Sequence, residues 1–157
     1  MKSFSQIDTH ITKWMARNGI KLLRISIGII FIWFGGLKFF PGLSPAEELA
    51  LSTIDLLTFG IISANFAQFG LALFEVTIGV LMLSGKLLRL TILFLLVQMA
   101  GTMSPIVLFP DLVFKHVPYA LTIEGQYIIK NFVVISAAIV IGATARGGKL
   151  LSEPQET

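Results

Sequence analysis

Four apolar runs, each long enough to cross a bilayer and each broken by one or two residues that hydrocarbon rejects, limit what this chain can become. Spanning about 30 Å of hydrocarbon takes about 20 helical residues. The runs 20–40, 66–83, 87–109 and 127–145 reach that length. Lys38 falls in the first, Glu75 deep in the second, Gln98 midway along the third, and Lys130 with Asn131 near the start of the fourth. A charge near the bilayer centre costs a few kcal/mol, so these residues are expected to face a common interior and find partners there. The predicted fold class is all-α: an integral-membrane antiparallel four-helix bundle, one domain over 1–157, with a polar core.

Composition agrees, since a mean hydropathy of +0.85 with only 13% charged residues lies outside the range of ordinary soluble domains. The absence of cysteine excludes disulfides, thiolate metal sites, CxxC redox motifs and covalent haem. His10 and His116 lie outside the apolar runs and far apart, which argues against a bis-histidine haem between helices. No metal and no intrinsic cofactor are expected. The net charge of +3 does not point to nucleic acid, because the basic residues flank the spans. Lys2, Lys13, Arg17, Lys21, Arg24, Lys86, Arg89, Arg146 and Lys149 fall on one side, leaving Lys38, Lys115 and Lys130 toward the other. The positive-inside rule then predicts cytoplasmic termini in a bacterial inner membrane. The polar opening residues, with Asp8 and His10, do not read as a cleavable signal.

Phe4, Ile7, Ile11, Trp14 and Met15 recur at helical spacing ahead of Asn18-Gly19. The pattern predicts an amphipathic interfacial helix over 3–18 that stops at that pair. In the first outer loop, Ser44, Pro45 and Glu47 read as N-cap, N1 and N3 of a short helix over 45–59 that caps the outer mouth of the bundle. The second outer loop, 110–126, shows no regular pattern.

Helical projection tests whether the polar residues converge. Arg24, Gly28, Phe31, Phe34, Gly35 and Lys38 share one sector of the first span, with Trp33 pointing away toward lipid or a second subunit. Gln68, Ala72, Glu75 and Gly79 share a sector of the second span, and Gln98, Gly101, Thr102 and Pro105 one of the third. Tyr127, Lys130, Asn131, Val134 and Ala138 share one of the fourth. Counting depth from the outer helix ends, with Glu75 about 14 Å in, puts the polar set in the outer half. The candidate ligand-binding residues are Lys38, Glu75, Gln98, Tyr127, Lys130 and Asn131, and Glu75 is the candidate for proton chemistry. Arg24, near the inner end, reads as a topological anchor. The competing structural reading is a polar network that only fixes helix registry.

The segments LLRISIGIIFIWFGGLKFFP, FGLALFEVTIGVLMLSGKLLR, QMAGTMSPIVLFP and EGQYIIKNFVVISAAIV together resemble the DoxX-like membrane proteins. Within that group they are most similar to the reactive-chlorine-resistance inner-membrane branch (YkgB/RclC). The resemblance runs from about Lys21 to Ala145 and implies a four-helix inner-membrane protein linked to quinone-coupled oxidation of sulfur compounds or to oxidative stress, with Lys38, Glu75 and Lys130 as its polar core. Three readings follow. In the first, the chain is a quinone- or redox-associated subunit, with Phe34, Phe39 and Tyr127 as apolar walls, a quinone or small-molecule ligand and a redox protein partner. In the second it is a small proton-coupled transporter, and in the third a non-catalytic accessory subunit, a homo-oligomer being compatible with each. The residues alone do not decide whether the site turns over a substrate.

Overall fold

The computed structural model describes the backbone of residues 2–150 and the side chains of residues 6–150; the predicted apolar side chain of Phe4 lies outside that part. The helices are α1 (Lys2–Leu37), α2 (Glu47–Leu57), α3 (Ala64–Ser84), α4 (Leu88–Met103), α5 (Pro105–Leu108), α6 (Pro110–Val113) and α7 (Ile123–Thr144). Strands β1 (Phe114–His116) and β2 (Ala120–Leu121) form a hairpin between α6 and α7. Among the described residues, four segments are long and apolar enough to cross a membrane: Gln6–Leu37, Ala64–Ser84, Leu88–Leu108 and Ile123–Thr144. The predicted four-helix bundle is therefore present, and α2, α5, α6 and the hairpin all lie at the end remote from the chain termini. We call this the loop end.

Three boundaries differ from expectation. The first is α1, which runs unbroken through Asn18-Gly19, so 3–18 forms the opening turns of the first spanning helix rather than a separate interfacial one. Glycine inside a helix costs only about 1 kcal/mol, and Asn18 Nδ2 donates back to the Trp14 carbonyl at 2.9 Å. The pair therefore lacks the strength of a stop. The second is the capping box, which does not form. Ala46, in the left-handed region at φ 56°, occupies the N-cap position of α2. Glu47 instead folds back to accept from the Gly42 N–H, at 3.1 and 3.2 Å to its two oxygens, and Ser44 Oγ donates to the Pro45 carbonyl at 3.4 Å.

The third difference is in the third span, which changes helix at Ser104-Pro105. Pro105 has no N–H for the Gly101 carbonyl. Ser104 Oγ donates to that carbonyl at 2.7 Å in its place. Within the loop that showed no pattern, β1 and β2 pair antiparallel, and Thr122 organises the junction with α7. Its Oγ accepts from Gly125 N–H at 3.0 Å and donates to the Leu112 carbonyl at 2.8 Å. Thr122→Ala removes this cap and is expected to lower stability by about 1 kcal/mol in detergent denaturation.

The helices pack chiefly as two pairs, α1 along α3 and α4 along α7. Glycine sets the first pair. A Cβ added at Gly79 would stand 2.8 Å from the Gly28 carbonyl oxygen and 2.7 Å from Ile32 Cγ1, so the two backbones touch there. At the end opposite the loops, the Arg24 guanidinium packs against Gly85, the C-cap of α3, where a cation meets the negative end of the helix dipole. Ile27, Phe31, Ile78, Met82, Ile92, Leu95, Met99, Ala138 and Ile141 fill the half of the bundle nearer the termini. A second cluster, Leu49, Val113 and Ile128, seals the loop end. Between the two the interior is not filled.

Candidate functional site

Glu75 is the twelfth of the 21 residues of α3, which puts its side chain near mid-span. It is buried, and a buried carboxylate needs donors. Two arrive from different helices: Lys38 Nζ donates to Glu75 Oε2 at 2.7 Å, and Gln98 Nε2 donates to Glu75 Oε1 at 2.7 Å. Lys38 lies just beyond the last residue of α1, in a turn closed by Lys38 N–H to the Gly35 carbonyl, and its side chain reaches back into the bundle. Its ammonium also lies 3.5 Å from the Phe34 carbonyl. Lys38–Glu75 is the one ion pair among the described residues, with both side chains nearly withdrawn from the surface at 14% and 12% exposure. Gly35 makes the approach feasible, because a Cβ there would stand 2.8 Å from Glu75 Cβ.

This cluster forms part of the wall of a cavity of about 650 Å³. The volume falls within the range of ligand pockets, about 300–1,000 Å³. The six candidate site residues, Lys38, Glu75, Gln98, Tyr127, Lys130 and Asn131, all line it. Lys130 and Asn131 do not join the Glu75 cluster. The Lys130 ammonium lies 5.5 Å from the centroid of the Tyr127 ring, reaching back along α7, and no carboxylate lies within ion-pair distance of it among the described residues. The expected single Lys-Glu-Gln-Asn network is thus two groups facing one cavity, a closed triad from α1, α3 and α4 and a separate set on α7. Glu75 and Gln98 also stand nearer mid-span than the outer half predicted for them.

The remaining wall is largely apolar. Ile30, Phe31 and Phe34 come from α1, Leu71 from α3, Met99 from α4, and Val133 with Val134 from α7. Phe39, an expected wall residue, instead packs edge-on against Phe69 at 5.4 Å and takes no part in the lining. The roof is α2, the short helix expected to cap the mouth of the bundle; the residues it turns toward the cavity are what the sequence reading missed. Ala46, Leu49, Ala50, Thr53, Ile54 and Leu57 form one face of α2 turned toward the cavity. Their recurrence at three- and four-residue intervals was the available signal. Ile30 and Phe34 on α1, and Tyr127 and Val133 on α7, line the cavity and are also exposed on the bundle surface. The cavity accordingly opens sideways between α1 and α7.

A family model, DoxX, matches residues 19–110. The chain belongs to the DoxX family. The match runs from the middle of α1 through α5 and contains Lys38, Glu75 and Gln98, whereas Tyr127, Lys130 and Asn131 lie beyond it. No curated protein and no solved structure matches the chain. With four helices suited to spanning, this DoxX protein is a multi-pass membrane protein. Chemically, the site combines a neutralised acid–base pair, an ammonium with no acidic partner among the described residues and a hydrophobic chamber open toward the surface that meets lipid.

Proposed function

We propose that this DoxX protein is a redox-associated membrane subunit whose cavity takes a quinone head group, linked to oxidant or sulfur metabolism as in the reactive-chlorine-resistance branch it resembles. In this reading it lies in the bacterial inner membrane with both termini cytoplasmic and the loop end outside. One observation carries the proposal: the Lys38–Glu75–Gln98 triad is set in the wall of an otherwise apolar cavity that opens between α1 and α7. Such a cavity suits a ligand that is hydrophobic over most of its surface and polar at one end.

Lys38 has donor capacity left after Glu75 and the weak contact to Phe34, and offers it to a quinone carbonyl oxygen. Reduction of a quinone consumes two electrons and two protons. A redox protein partner supplies the electrons; Glu75, already bridged to Lys38, relays one proton from water to the oxygen that Lys38 holds, and the second quinone oxygen takes the other proton from water. The Lys38 ammonium already neutralises Glu75, which gives less support to a proton-coupled transporter in which that carboxylate would take a cationic substrate.

Protein purified in lipid nanodiscs is expected to retain quinone detectable by solvent extraction and absorbance. Glu75→Gln is expected to weaken quinone binding by about tenfold, the scale of one hydrogen bond to a charged group. Quinone absent from folded wild-type protein, with none taken up on addition, would overturn the proposal.

A further inference from the structure

We infer that the cavity selects a bilayer-borne amphiphile whose head group is a single oxyanion, and that Tyr127, Lys130 and Asn131 on α7 hold that head group. This rests on reading the cavity as a ligand site and specifies the charge of what it takes.

The argument begins with a charge count. Among the described residues, three ionic side chains line the cavity: Lys38, Glu75 and Lys130. The first two neutralise one another at 2.7 Å. Lys130 has no acidic partner among the described residues, so the chamber carries one uncompensated positive charge. Lys130 is the eighth residue of α7, and its backbone lies about 10 Å inside a helix suited to spanning. An ammonium at that depth is costly, and a neutral ligand leaves it so. A monoanion neutralises it, whereas a dianion overshoots.

Hydrogen bonding points the same way. Tyr127, Lys130 and Asn131 stand at i, i+3 and i+4, hence on one helix face, and all three line the cavity. Within the described residues no hydrogen bond occupies the Tyr127 hydroxyl, the Lys130 ammonium or the Asn131 amide. In the triad around Glu75, in contrast, both carboxylate oxygens are already occupied. The donors of α7 therefore converge on cavity space, and an oxyanion with two or three lone pairs can accept from all of them. Ile30, Phe34, Val133 and Val134 provide the apolar track for the rest of the molecule.

Two sources offer such a head group, the carboxylate of a fatty acid and the ionised hydroxyl of a hydroxyquinone. Four probes separate them in titrations of the full chain in nanodiscs followed by native mass spectrometry: dodecanoate, dodecanol, a 2-hydroxy-3-alkyl-1,4-naphthoquinone and its uncharged 2-methyl counterpart. At least one anion is expected to bind about tenfold more tightly than its neutral partner, about 1.4 kcal/mol. Lys130→Gln is expected to abolish that preference and Lys130→Arg to keep it, with circular dichroism showing both variants folded.

Equal binding of charged and uncharged partners, or a preference untouched by Lys130→Gln, would overturn the inference. If the methylnaphthoquinone binds as well as the hydroxyquinone and dodecanoate does not, the quinone proposal survives and the anion inference fails. Dodecanoate binding alone has the reverse meaning. Failure of all four to bind rejects both.

Discussion

Lys38→Met is expected to destabilise the bundle by about 3–5 kcal/mol, because it leaves the Glu75 carboxylate buried with only the Gln98 amide to face it. The mirror change should cost less. Lys38 sits just past the end of α1, so in Glu75→Met its long side chain can swing toward the loop end and rehydrate its ammonium, whereas mid-span Glu75 has no such exit. Lys38→Met with Glu75→Met removes both charges and should recover most of the loss. Thermal or denaturant unfolding in detergent reads all three. Equal costs for the two single variants would mean that Lys38 has no such exit, and a double variant that costs the sum of the two would mean that the ion pair does not govern the stability of this region. If the double variant is stable and keeps full cellular activity, the pair is architectural only. A stable double variant without activity assigns it a role in function.

Gly79→Val is expected to cost about 3 kcal/mol, the upper end of the overpacking range. The first added carbon already stands 2.8 Å from the Gly28 carbonyl oxygen and from the Ile32 amide nitrogen, both backbone atoms that no rotamer change can move. The α1–α3 pair must separate, and with it Lys38 from Glu75. Gly36→Ala provides the contrast, since nothing lies within 4 Å of a Cβ there. It should be neutral or stabilising by about 0.5–1 kcal/mol, through the helix preference of alanine over glycine. Comparable losses at the two positions would show that helix propensity, not interhelical contact, sets the effect.

The sequence announced its bundle because bilayer thickness demands four runs of fixed length and because Glu75 and Gln98 cannot sit stably against acyl chains. The same cost of burial brought Lys38 to them, so that cluster was legible residue by residue. Lys130 was not, since projection onto a helix gives the face of a residue but not the span of empty space it looks across. Asn18-Gly19 misled for a different reason. A weak local stop loses to the continuity of the helix ladder on both sides. The capping pattern at Ser44 also failed locally, because Glu47 accepts from the Gly42 N–H instead. The hairpin at 114–121 is too short to show alternation, and which face of the expected capping helix lines the cavity depends on where the 41–46 turn aims α2.

The side entrance between α1 and α7 has a consequence for any occupant. A molecule that arrives through it is drawn from dissolved lipid rather than from water, so occupancy follows its mole fraction in the leaflet and not its concentration in buffer. Diluting the protein into more phospholipid should empty the chamber, while diluting the same vesicles into more buffer should leave it filled. Apparent affinities measured in micelles will therefore scale with detergent concentration until they are expressed per unit of hydrophobic phase.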